Sequence, residues 1–199
     1  GRKQKSFYTF QLMRIISGKY KGRRIFPPKG LPVRPTTDMS KEALFNVLNN
    51  HFDFEDLKIL DLFAGTGNIS FEFASRGCTP ITSVDADFGC VKFIKQIASE
   101  YDFNIAATKS DVFAFLERNN TTYDIIFADP PYGLDQKTFE KVVTTVFEKN
   151  CPYLLHVVGQ AQTLCKIPRH TQYRNPASSV NRPTGRSLHL AIYFLYSFD

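Results

Sequence analysis

A four-residue segment of this chain, DPPY, combines residues that can hold a planar amine. It follows the apolar run YDIIFA, which predicts a buried strand. The Asp129 carboxylate and the backbone carbonyl of Pro130 can each accept one N–H hydrogen bond. Pro130 and Pro131 fix the direction of that carbonyl because the proline ring locks φ, and the Tyr132 ring can stack on a base. The pattern indicates a site for the exocyclic amine of a nucleobase that is flipped out or already unpaired.

Three aspartates and a glycine turn are predicted to lie near this segment, because open parallel sheets bind ligands at the carboxyl ends of their strands. Gly65 and Gly67 follow the strand KILDLF, which contains Asp61, and they let the backbone approach a ligand; a ligand-free turn is the alternative. Asp85 ends the next strand, 18 residues after Gly67, a spacing that suits a ribose diol. Asp111 follows the third strand and either meets a heteroaromatic amino group or caps a helix.

The type of ligand is indicated by two residues of the turn. The dinucleotide fingerprint requires Gly or Ala where Ser70 stands, and Asp61 would repel a pyrophosphate and attract a cation. These features disfavour a nicotinamide dehydrogenase. They suit a ligand with adenine, ribose and an ammonium group but no phosphate, which is S-adenosyl-L-methionine (SAM), with Asp61 or a nearby backbone carbonyl serving the ammonium. The DPPY segment then becomes the acceptor site for a methyl group, and Asp129 a candidate to take the proton.

Alternating apolar segments predict the fold that positions these residues. From Lys58 the strands KILDLF, ITSVDA, NIAATK, YDIIFA and YLLHVV alternate with helices, of which one begins near Asn68 and the others are expected at 88–99, 112–118 and 138–149. This order predicts an α/β fold with a mostly parallel, doubly wound sheet. An earlier helix is expected from Asp38, as N-cap, to about Asn50. Residues 159–199 form an atypical tail.

Positive charge is concentrated near the start of the chain. Ten Lys and Arg residues and no acid occur from Gly1 to Arg34. Two short strands, 14–17 and 20–26, are predicted to form a hairpin whose bases would bind the phosphates of a nucleic acid, namely Lys19, Lys21, Arg23 and Arg24. We therefore divide the chain into an extension expected to be disordered or added (1–12), a basic hairpin with its linker (13–36) and a methyltransferase domain (37–199).

Composition narrows the class of protein. No apolar run approaches the roughly 20 residues that a membrane span requires, and no signal-peptide pattern is present. The four cysteines are scattered without a C-x-x-C pair, which indicates a reducing compartment and no metal site. We expect a cytoplasmic protein without a membrane partner, and a monomer.

At this point the motifs resemble a known group. DPPY with DLFAGTGNIS is similar to amino-group methyltransferases of the Rossmann-like class, and MRIISGKYKGRR followed by RPTTDMSKEALFNVL resembles the RsmD family of bacterial methylases. The resemblance covers residues 13–158 or so. It implies a SAM-dependent, seven-stranded methyltransferase fold with a small N-terminal β-hairpin, acting on guanine N2 of 16S rRNA in an assembling small ribosomal subunit.

The resemblance also implies roles for individual residues. Further contacts to SAM are implied for Arg34, Pro35, Thr36, Phe63 and Val112. The chain departs from the family at Met39-Ser40, where relatives carry a basic residue, and in its tail. DNA adenine-N6 methylation and a noncatalytic RNA-binding role on the same scaffold are the alternatives.

Overall fold

The structure is a computed structural model that describes residues 12–32, 36–131, 133–148 and 154–156. Three predicted site residues, Arg34, Pro35 and Tyr132, lie outside the described residues, as does the tail 159–199.

Two short antiparallel strands form the N-terminal hairpin, β1 (Met13–Arg14) and β2 (Arg24–Ile25). The predicted strands 14–17 and 20–26 were therefore too long, and residues 15–23 form the turn. Gly18 and Gly22 explain the difference, because their φ angles of 81° and 82° interrupt the extended backbone.

In the described part of the chain, a parallel sheet of five strands lies at the centre: β3 (Ile59–Leu62), β4 (Ile81–Asp85), β5 (Ile105–Lys109), β6 (Ile125–Ala128) and β7 (Leu154–His156). The strand order is β5-β4-β3-β6-β7. Leu62 pairs with Val84 on one side and with Ala128 on the other, so β3, β4 and β6 reach the same level. The predicted α/β fold with a parallel, doubly wound sheet is confirmed.

Among the residues that the structure describes, five helices cover the sheet: α1 (Asp38–Asn49), α2 (Asn68–Ser75), α3 (Phe88–Glu100), α4 (Val112–Arg118) and α5 (Gln136–Glu148). Alternate strand residues point to opposite faces. Ile59 and Phe127 pack with α1 and α2, whereas Leu60 and Ala128 pack with α4 and α5. Both faces of β3 and β6 are thus buried, which is why these strands read as continuous apolar runs. No helix in the described residues is long and apolar enough to cross a membrane.

The start of α1 differs from the prediction by one residue. The N-cap is Thr37, whose side chain accepts a hydrogen bond from the Ser40 N–H (3.2 Å). Asp38 is the first helical residue and instead accepts a hydrogen bond from Arg14 Nε (2.9 Å). Both residue types are good N-caps, but the Asp38 side chain is paired with Arg14 of the hairpin, so Thr37 caps the helix.

Candidate active site

The carboxyl ends of three adjacent strands bring the predicted residues to one edge of the sheet, which we call the catalytic edge. Leu62, Val84 and Ala128 share one level of the sheet. The next residues along β3, β4 and β6 are Phe63, Asp85 and Asp129. Neighbouring strands lie about 4.8 Å apart, so the glycine turn, the β4 acid and the DPPY segment begin side by side.

Asp61 lies behind this edge rather than on it. Its side chain is 1% exposed, and its Oδ2 accepts a hydrogen bond from Ser70 Oγ (2.5 Å), which lies 2.7 Å from Ser83 Oγ. Burial raises the pKa of Asp61 to about 7, against the lowering effect of the Ser70 bond, and the charges of Asp129 and Asp85 add to the rise. Of the two predicted partners for a ligand ammonium, Asp61 or a backbone carbonyl, burial favours the carbonyl.

The glycine turn is held by the acid at the end of β4. Gly65 N–H donates to Asp85 Oδ2 (2.7 Å), and Asp87 N–H donates to Asp85 Oδ1 (2.8 Å). Gly67 has φ 79°, and a Cβ there would lie 2.8 Å from Ile94 Cγ1. Only glycine fits this position, because the backbone conformation and the packing on α3 both exclude a side chain. The turn is therefore rigid and aligned on the Asp85 carboxylate.

The residues after β5 have structural roles of their own. Asp111 Oδ1 accepts a hydrogen bond from the Ala114 N–H (3.0 Å), so Asp111 caps α4. The capping alternative is confirmed, and its contact to a ligand stays a prediction. Val112 is buried in the core beside α5. Phe63, the residue after β3, has φ 60° and packs against the same core.

Strand β6 ends at Ala128, directly before the DPPY segment. Asp129 and Pro130 are half-buried and Pro131 is exposed. The Pro131 carbonyl accepts a hydrogen bond from the Leu134 N–H (2.9 Å), which ties Leu134 to the end of the two prolines. Asp129 and Pro130 thus follow β6 at the level where Phe63 and the glycine turn follow β3.

The N-terminal segments reach the same region. Thr36 is half-buried, and its carbonyl accepts a hydrogen bond from Asn68 Nδ2 (3.0 Å), so the linker is tied to the first residue of α2. The basic side chains of the hairpin that are predicted to bind RNA are all exposed: Lys19, Lys21, Arg23 and Arg24.

A buried polar junction, which the sequence reasoning missed, joins the hairpin to the glycine turn. Lys41 is 1% exposed; its Nζ donates to Asn68 Oδ1 (2.8 Å) and to the Arg14 carbonyl, and lies 3.6 Å from Glu72. Burial lowers the pKa of Lys41, while Glu72 opposes that shift. The available signal was a glutamate inside the apolar helix segment ISFEFAS, because charged residues are almost never fully buried without a partner.

Comparison with known proteins places this arrangement in a family. A family model described as "Conserved hypothetical protein 95" matches residues 13–186. The Ribosomal RNA small subunit methyltransferase D of Buchnera aphidicola (subsp. Baizongia pistaciae) is 34% identical over 158 residues, 78% of this chain and 79% of that protein. The Escherichia coli K12 protein of the same name is 35% identical over 129 residues, 63% of this chain and 64% of that protein.

Solved structures agree with the sequence comparisons. The Escherichia coli methyltransferase yhhF matches with a TM-score of 0.60 and 32% identity, covering 70% of this chain and 75% of that one. A Haemophilus influenzae methylase matches with a TM-score of 0.55 and 26% identity over the same shares. The chain belongs to the RsmD family of methyltransferases and has their Rossmann-like fold.

Proposed function

We propose that this protein transfers a methyl group from SAM to the exocyclic N2 of a guanine in 16S rRNA, within an assembling small ribosomal subunit. The observation that carries the proposal is the pairing of Leu62 with Ala128, because the glycine turn and Asp129 then follow neighbouring strands at one edge of the sheet. Relatives named as small-subunit rRNA methyltransferases support rRNA as the substrate class.

The residues present fit SAM as the donor. A carboxylate offers about four acceptor positions, and the N–H groups of Gly65 and Asp87 use two of those on Asp85. The remaining positions suit the two hydroxyls of a ribose. Asp85 and Asp129 would repel a phosphate at this edge, whereas SAM brings none and supplies an electrophilic methyl group on its sulfonium.

The acceptor side of the site is formed by Asp129 and Pro130. A nucleobase amine is a poor nucleophile because its lone pair is delocalised into the ring. Hydrogen bonds from its two N–H groups to the Asp129 carboxylate and the Pro130 carbonyl would hold the nitrogen in line for attack. Asp129 is then the group placed to accept the proton that the amine releases, and Tyr132 would stack on the base.

The hairpin supports RNA rather than a small molecule as the acceptor. Its four exposed Lys and Arg side chains, named above, can neutralise backbone phosphates, and such contacts make the affinity for RNA fall as the salt concentration rises. The positive charge lies along α2, which begins at the glycine turn.

Asp129→Ala tests the assignment of the acceptor site. We expect methyl transfer to fall by at least about 100-fold, while SAM affinity measured by calorimetry changes little, because Asp85 and the glycine turn remain intact. Asp53→Ala, at an exposed acid outside the site, is the matched control and should transfer at the wild-type rate. Loss of SAM binding in Asp129→Ala would show that this carboxylate serves the donor instead.

A further inference from the structure

The turn of the basic hairpin is fixed to the last residue of α2. Lys19 N–H donates to the Ser75 carbonyl (2.7 Å), and Tyr20 N–H donates to Ser75 Oγ (3.0 Å). Ser75 Oγ in turn donates to the Ser17 carbonyl (2.6 Å). A Cβ on Gly18 would lie 1.8 Å from the Ser75 carbonyl oxygen, so the two backbones are in direct contact. The tip of the hairpin therefore has one position on the helix.

Aromatic packing fixes the same turn to the end of α3. The Tyr20 ring meets the rings of Tyr101 and Phe103 edge to face, with both centroid distances at 5.1 Å. The Tyr20 hydroxyl donates to the Tyr101 carbonyl (2.8 Å). Releasing the turn from α3 would therefore break two ring contacts and one hydrogen bond at once.

A buried carboxylate provides the third attachment. Glu72 is 0% exposed and accepts hydrogen bonds from the N–H groups of Ile16 (2.8 Å) and Ser17 (3.0 Å). Arg76 Nε donates to the same side chain (3.0 Å). Charge-assisted bonds of this kind are stronger than neutral ones. The hairpin is thus a rigid part of the body of the protein rather than a free arm.

This attachment sets the distance between the hairpin tip and the catalytic edge. Helix α2 begins at the glycine turn, and Ser75 lies seven residues further on, which at 1.5 Å per residue is about 11 Å. The open end of the hairpin stays near the edge, because Thr66 Oγ1 lies 3.1 Å from Met13 Sδ. The hairpin consequently runs along α2, and Lys19 and Lys21 are exposed at its far end.

We propose that Lys19 and Lys21 bind substrate phosphates that lie about three or more nucleotides from the modified base. A stacked strand advances about 3.4 Å per nucleotide, so about 11 Å corresponds to about three nucleotides. The inference rests on the proposed function and sharpens it: the substrate is an RNA that extends from the catalytic edge along α2. A fragment holding only the target and its immediate neighbours would miss the tip.

The test combines a double variant with RNA length. Lys19→Gln/Lys21→Gln is compared with Arg118→Gln/Lys141→Gln, which removes the same charge from exposed positions on α4 and α5, the opposite face. Affinity by fluorescence anisotropy and kcat/KM are measured on RNAs of about 20 and about 3 nucleotides. Both RNAs carry the base that the wild type modifies at their centre; if no base is modified, arbitrary RNAs of those lengths are used.

On the long RNA we expect the tip variant to lose about 10-fold in affinity and its log K against log salt slope to flatten by about 1.5. On the short RNA it should match the wild type, and the control should match on both. An equal loss on both lengths, or no loss on the long one, would overturn the inference. Absence of wild-type transfer would instead contradict the proposed function, while the length dependence of binding would still test the tip.

Discussion

Replacing Asp61 with asparagine removes a buried titratable group while keeping the shape of its side chain. In the folded protein the pKa of Asp61 is about 7, whereas its ordinary value is 3.8. Between these values the folded state keeps a proton that the unfolded chain has released. The free energy of unfolding must therefore fall as pH rises through this window, because the folded state binds more protons.

The size of the effect follows from the width of the window. Each pH unit within it corresponds to about 1.4 kcal/mol, so the two units from pH 5 to 7 correspond to about 3 kcal/mol. The amide that replaces the carboxyl group has no such proton. The free energy of unfolding of Asp61→Asn, taken relative to that of the wild type, should therefore rise by about 3 kcal/mol between pH 5 and pH 8, with little further change above pH 8.

Urea unfolding of both proteins, followed by circular dichroism from pH 4 to pH 8.5, measures this difference. Groups that titrate in both proteins cancel in the comparison. Ser70→Ala is a second test, because it removes a hydrogen bond that lowers the pKa of Asp61. In this variant the pH range over which the free energy of unfolding falls should extend to higher pH. A difference between wild type and Asp61→Asn that stays constant from pH 5 to pH 8 would contradict this prediction, because Asp61 would then be ionised in the folded protein throughout.

Two further predictions concern the attachment of the hairpin. Gly18→Ala should lower the free energy of unfolding by at least about 2 kcal/mol, because the added Cβ overlaps Ser75. Gly22→Ala is the control: Gly22 has φ 82° but nothing within 4 Å of an added Cβ, so its loss should be about 1 kcal/mol. Equal losses in denaturant unfolding would show that the hairpin does not pack on α2. Glu72→Gln leaves Lys41 buried beside a neutral side chain and should cost about 3 kcal/mol; a loss below about 1 kcal/mol would mean that the pair is solvated.

Local pattern was sufficient for the elements that carry the site. Helix α4 spans Val112–Arg118 as predicted, and Gly77, with φ 102°, ends α2 just after its C-cap. The runs ending at Leu62 and Ala128 are covered by helices on both faces, and that burial is what makes them apolar throughout. Their parallel order then places the following loops at one edge without any further information.

Tertiary partners decided what the pattern left open. Lys41 and Glu72 are 31 residues apart in the sequence, and no local rule pairs a helix lysine with a helix glutamate at that distance. Asp61 was predicted to face the ligand because it is an acid near a strand end. In the structure Ser70, the residue that departs from the dinucleotide pattern, binds that acid and holds it inside.

The most direct test of the proposed function is the identity of the methylated nucleoside. The protein and labelled SAM are incubated in three separate reactions, with small subunits from a methylation-deficient strain, with naked rRNA and with DNA. The nucleic acid from each reaction is digested and analysed by mass spectrometry. We predict label in N2-methylguanosine from the small subunits, and none with Asp129→Ala. Label in N6-methyladenine, or no label on any substrate, would contradict the proposed function.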